Sequence, residues 1–256
     1  MSTGVTQPRP GTALPSSRRA PGAGADRDVH AAATGAGVGI VLLAVLATFG
    51  VLFAVDGLVT PGDPARTAQD ITGSETVFRL GIVSLLLAVV VDVLVAGGLY
   101  RVFRRTSSTV SMIAAWFRVA YAAAFLVAVA HLVGALRLLH APAGPFTTAQ
   151  HQVRALSDLD AFTDVVAAGL VLFGAHLLLV GYLAYRSGFV PRLLAALVGV
   201  AGAGYVFDSL ADVLSNGSAP AVATVTFVGE LLLGVWLLVR GRRLTDVGTS
   251  RWRRAD

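Results

Sequence analysis

Apolar positions along the chain gather into six runs separated by short polar stretches, at residues 37–58, 77–100, 110–139, 161–185, 192–214 and 221–239. About 20 helical residues cover the roughly 30 Å of bilayer hydrocarbon, so each run can span it, and the longest, the third, must tilt or protrude. The predicted fold class is therefore all-α: a polytopic transmembrane bundle of six spanning helices, residues 37–241. Residues 1–36 carry Pro8, Pro10, Pro15, Pro21 and scattered Arg with no apolar period, which predicts a disordered basic tail rich in Pro, Gly and Ala. Residues 242–256 form a second basic tail. A secretory signal peptide fits poorly, because the first apolar run starts late and lacks a small-residue cleavage site before the charged loop.

Local signals punctuate the runs. Thr72 with Glu75, and Ser157 with Asp160, have capping-box spacing ahead of the second and fourth spans. Gly188 and Pro191 are placed to end the fourth helix and begin the fifth, making a tight turn. After the break at Pro61-Gly62-Asp63-Pro64, residues 65–71 can form a short surface helix capped by Asp63.

Composition decides the solvent. Apolar residues make up 55% of the chain and charged residues 14%, where about 25% charged is usual for soluble domains. Mean hydropathy is +0.73. An ordinary soluble enzyme is excluded. The net charge of +5 divides into +2 over residues 1–36, +4 over residues 240–256 and −1 between them, so the high pI describes two tails and no basic groove. Nucleic acid is thus a poor partner, and an anionic membrane surface a better one. Fifteen of the 20 Arg fall in the two tails and the second and fourth loops, which the positive-inside rule places in the cytoplasm together with both termini. The predicted location is the bacterial cytoplasmic membrane. The absence of Cys excludes disulfides, thiolate catalysis and Cys-ligated metals.

Charged side chains within the runs cost roughly 2.5–3.5 kcal/mol each at a bilayer centre, so each needs a partner or a role. Counting about 1.5 Å per residue puts Asp92 and His176 roughly 8 Å, and Arg118 roughly 12 Å, above the inner boundary. Three helices thus offer an acid, a base and an imidazole at one depth. Glu230 sits near the middle of the last run with no cation in its own helix. These four residues, Asp92, Arg118, His176 and Glu230, form the candidate intramembrane polar site. They serve either as an ionic lock between helices or as a proton-linked or solute-binding site, unless Arg118 snorkels to the surface. Arg79, Asp164 and Asp208 form an outer polar layer near helix ends, where solvation is easy. Asp158, Asp160 and Asp164, with His140 and His151 nearby in sequence, offer at most an adventitious metal site.

Other motifs carry less. Gly35-Ala36-Gly37-Val38-Gly39 lacks the preceding strand of a dinucleotide loop and reads better as small residues at a helix entrance. Ala195, Gly199 and Ala203 form a ridge for close helix approach. His131 and His176 lie at opposite ends of their spans and cannot share a haem iron. No catalytic triad or HExxH pattern is present. Neither a cofactor nor a resident metal is expected.

The segments Phe78-Arg79-Leu80-Gly81-Ile82-Val83, Phe173-Gly-Ala-His176-Leu-Leu-Leu-Val-Gly181-Tyr182, Tyr185-Arg-Ser-Gly188-Phe-Val-Pro191-Arg192, Gly204-Tyr-Val-Phe-Asp208-Ser209, and Glu230 followed by Trp236-Leu-Leu-Val-Arg240-Gly241 resemble the bacterial membrane family catalogued as domain of unknown function 4386. The resemblance covers roughly residues 37–241. It implies a helical integral membrane protein and supplies no activity or functional residue. The sequence thus predicts a non-catalytic membrane bundle or interaction protein, partnered by the bilayer and by a second copy or another membrane protein. The alternatives are a small transporter or channel built on the polar site, and an intramembrane enzyme using His176 on a lipophilic substrate.

Overall fold

The computed structural model describes residues 22–142, 144–215 and 228–240, with side chains from Asp28 onward. All described elements are helical. Helix α1 (Gly22–Thr48) continues into a π-helical segment (Phe49–Val55) and is followed by α2 (Pro64–Gly73), α3 (Glu75–Phe103), α4 (Ser108–Leu139), α5 (Thr148–Ser187), α6 (Arg192–Ser215) and α7 (Val228–Arg240). Five helical stretches, Asp28–Val55, α3, α4, α5 and α6, are long and apolar enough to cross a membrane. The sixth predicted span is represented by α7, the rest of it lying outside the described residues, as do both tail ends.

The long helices close into a ring. α1 packs on α3, α3 on α4, α4 on α5, α5 on α6, α6 on α7, and α7 returns to α1, while the short α2 rests on α5 and α3. Buried apolar side chains form two half-cores. One, with Phe78, Leu85, Leu132 and Leu159, occupies the α2 end. The other, with Leu99, Phe103, Leu177, Leu183 and Leu237, occupies the opposite end. Large apolar residues also face outward along the helices, Leu80, Leu87 and Leu94 on α3 among them, a surface suited to hydrocarbon rather than water.

Helix ends follow local chemistry, with corrections. Asp63 caps α2 by accepting from the Arg66 N–H at 3.0 Å, and Gly188 ends α5 in the left-handed conformation at φ 72°. Thr72, however, lies inside α2, bonding back to the Ala68 carbonyl. Ser74 precedes α3, and Glu75 pairs with Arg79 instead of closing a box. Ser157 is interior to α5, whose capping box is Thr147 with Gln150, because the helix starts at Thr148, 13 residues before the predicted span. α1 likewise begins at Gly22, so residues 22–36 are helical and not part of a disordered tail. Ala33 and Ala36 are buried, and Gly98 of α3 packs against Ala36. Good helix formers with a packing face carry the helix past the edge of the apolar run.

Small residues set the closest approaches. A Cβ on Gly37 would lie 2.8 Å from the Gly234 carbonyl oxygen and the Leu238 nitrogen of α7. The predicted ridge on α6 meets α5 through Ala195 and Gly199, which face Gly181, and then through Gly202, which faces Gly174. Ala203 is exposed, since 3.6-residue periodicity moves the contact line to Gly202.

Candidate functional site

Between the two half-cores the ring holds its charges. Asp92 stands on α3, Arg118 on α4, His176 on α5 and Glu230 on α7, and the structure brings all four together around the Arg118 guanidinium, which is 1% exposed. Arg118 donates through Nε and Nη2 to Asp92 Oδ1, both at 2.7 Å. Its Nη1 donates to Glu230 Oε1 at 2.7 Å and to His176 Nε2 at 3.1 Å. A guanidinium cannot accept, so His176 Nε2 must be the acceptor and the ring proton sits on Nδ1. That proton is donated to the Ala114 carbonyl, 2.8 Å away. The imidazole is neutral, in one tautomer, and both its nitrogens are engaged. Arg118 is therefore held inside the bundle rather than snorkelling, and the cation that pairs with Glu230 is supplied by α4.

The charges border a cavity of about 160 Å³. Every member of the ring contributes to its lining: Ala44 of α1, Asp92 of α3, Arg118 of α4, Phe173 of α5, Tyr205 of α6 and Glu230 of α7. Tyr121 and Phe125 complete an aromatic wall, with the Tyr121 and Phe173 rings 4.9 Å apart and the Arg118 guanidinium 5.2 Å from the centre of the Phe173 ring. His176 does not line the cavity. Sequence reasoning missed Tyr121, Phe125, Phe173 and Tyr205. A signal existed for two of them: Tyr121 lies three residues after Arg118 and Phe173 three before His176, so each shares a helix face with a charged or polar member. Tyr205, on another helix, had no such marker.

The outer-layer residues stand apart from this site. Arg79 pairs with Glu75 at 2.6 Å, one turn away on an exposed face. Glu75 also accepts from His140 Nε2 at 3.0 Å. Asp164 borders a separate cleft with Asp56 and Asp160, and Asp208 is half-buried on α6. The histidine against Asp158 is His131, at 3.3 Å, while His140 turns to Glu75 and His151 to the Phe146 ring. Among the described residues no three His, Asp or Glu side chains converge as a metal site would require.

A closed ring of long apolar helices around a buried ionic site defines a multi-pass, membrane-type helical bundle. The chain belongs to the family described as "Domain of unknown function (DUF4386)", which it matches over residues 35–241. It is also 36% identical over 166 residues to an uncharacterized protein of Archaeoglobus fulgidus, an alignment covering 65% of this chain and 86% of the relative. That relative is archaeal, so family membership does not carry the expected bacterial origin with it. No solved structure matches the chain.

Proposed function

We propose that the protein is a six-span membrane protein with both termini in the cytoplasm, and that it binds a small solute inside its helix ring, as a transporter or channel does. The observation that carries this reading is that all six helices of the ring line one cavity and that three charges border it, Asp92 and Arg118 buried and Glu230 partly so. A bundle needing only cohesion gains nothing from charges beside a void, since well-packed apolar residues of similar volume are commonly as stable or more so. The arrangement resembles bundle proteins whose ligand sites lie between facing helices.

Ala47 lines the cavity and carries no charge, so Ala47→Leu takes up cavity space without removing any member of the ionic cluster. Purified protein in nanodiscs is screened by thermal shift against small cationic, neutral and anionic organic solutes. Saturable stabilisation by at least one class, abolished in Ala47→Leu, is the expected result. No stabilisation by any class overturns the reading.

A second reading, the non-catalytic bundle, draws on a different observation: Arg118 ties together side chains from α3, α5 and α7, which is what an interhelical lock would do. The enzymatic reading has less support, because both ring nitrogens of His176 are occupied and the ring is not part of the cavity lining.

A further inference from the structure

The ionic cluster is unbalanced in charge and in hydrogen bonding. Two carboxylates, Asp92 and Glu230, face one guanidinium, and the imidazole that joins them is neutral by its hydrogen-bond pattern. The cluster therefore carries one negative charge in excess when both carboxyls are ionised. Arg118 places both of its bonds to Asp92 on the same oxygen, Oδ1. The other, Oδ2, is buried and has no hydrogen-bond partner among the described residues. Asp92 itself is 5% exposed and lines the cavity. A buried carboxylate oxygen left without a donor costs more than an ordinary unsatisfied polar group, because the charge is desolvated as well.

The rest of the lining points to what can satisfy that oxygen. Tyr121, Phe125, Phe173 and Tyr205 line the cavity with aromatic rings, whose faces attract cations, and Ile40, Leu43 and Leu231 add apolar surface. An engineered cavity of about 150 Å³ accommodates benzene, so about 160 Å³ takes one ring or a comparably small aliphatic body.

Resting on the solute-binding reading above, we propose that the cavity takes a small organic ammonium ion: one positive charge with at least one N–H, on an apolar body about the size of a single ring. A turn of the Asp92 carboxylate brings Oδ2 from its buried position to the cavity wall to accept the N–H, the charge offsets the excess carboxylate, and the apolar body lies against the aromatic wall. Arg118 holds Asp92 and Glu230 in place with four of its five N–H groups, and the excess negative charge of the cluster disfavours anionic solutes.

The test uses four probes that share one aromatic ring on the full-length protein in nanodiscs: benzylamine, which is protonated at neutral pH, benzyl alcohol and benzoate, which are close in size, and the bulkier N,N,N-trimethylbenzylammonium. Affinities are read by calorimetry and thermal shift. Benzylamine is expected to bind about tenfold or more tighter than benzyl alcohol, as a charge-assisted bond exceeds a neutral one by that order. The trimethyl compound, with charge but no N–H, falls between them, and benzoate does not bind. Asp92→Asn removes the preference for benzylamine, and Ala47→Leu removes binding of all probes while leaving the ionic cluster intact, so loss of fold and loss of site are separable. Tighter binding of benzyl alcohol or benzoate than of benzylamine overturns the cation assignment and leaves the solute-binding reading standing. Failure of all four probes together with failure of the wider screen overturns both.

Discussion

Arg118 Nη1 lies 2.7 Å from Glu230 Oε1 although 112 residues separate the two in sequence. The contact joins α4 to α7, two helices that are not neighbours in the ring, and so crosses its interior. With Asp92 on the other edge of the guanidinium, it makes Arg118 a cation shared by a buried carboxylate and a partly buried one.

Removing that cation alone should be severe. Arg118→Gln leaves Asp92 and Glu230 buried without a counter-charge, and the expected loss is about 3–5 kcal/mol, the range found when one partner of a buried ion pair is deleted. The triple variant Asp92→Asn, Arg118→Gln, Glu230→Gln restores neutrality and should recover most of the loss. Thermal unfolding of the purified variants decides it. Equal destabilisation in the single and triple variants would show that the charges are not coupled.

The α1–α7 seam should be sensitive to volume at one glycine and indifferent at another two residues away. Gly37→Leu drives a side chain into the Gly234 carbonyl and the Leu238 backbone and should cost about 1–3 kcal/mol by overpacking. Gly35→Ala meets nothing within 4 Å and should gain about 0.5–1 kcal/mol from helix propensity. Amide hydrogen exchange raised only along α1 and α7 in the first variant and unchanged in the second would separate helix displacement from a general loss of fold.

His140, just beyond the end of α4, gives a pH dependence of known sign. Its ring donates to the Leu136 carbonyl and bonds Glu75, and these contacts hold its pKa above the ordinary 6.5. A folded-state pKa above the unfolded one stabilises fully below the unfolded value and is lost as pH rises through the folded value. The melting temperature of the wild type should therefore exceed that of His140→Gln most at pH 5.5, with the gap closing above about pH 6.5. The effect is small because the pair is exposed. A gap that widens with pH would contradict the assignment.

Because the chain has no native Cys, topology can be read with single-cysteine variants. Gln69→Cys on the exposed face of α2 should react with an impermeant maleimide added to intact cells, and Ser108→Cys at the start of α4 only after permeabilisation. The reverse pattern would invert the proposed orientation.

Much of this bundle was legible in the residues alone. Lipid-spanning helices must be long and apolar whatever surrounds them, so the runs located the helices, and Asp63 and Gly188 marked ends because capping is settled within a few residues. The same local logic failed at Thr72 and Ser157. A capping pattern is short enough to occur inside a helix, and α5 starts ahead of the apolar run because the mixed stretch 148–160 continues the helix and packs Ala155, Leu156 and Leu159 into the core. Depth counting placed Asp92, Arg118 and His176 in one layer, because rise per residue is fixed and depth needs no knowledge of neighbours. Which way each side chain turns depends on the rotation of one helix against another. Only the tertiary structure could set Glu230 on Arg118, choose the tautomer of His176 through Ala114, leave Asp92 Oδ2 without a partner and gather four aromatic residues from α4, α5 and α6 around the same space. Sequence fixes what each helix carries and how deep it lies, whereas the facing of six helices across a shared interior is decided by close packing at residues such as Gly37, Gly181 and Gly202, which no single helix specifies by itself.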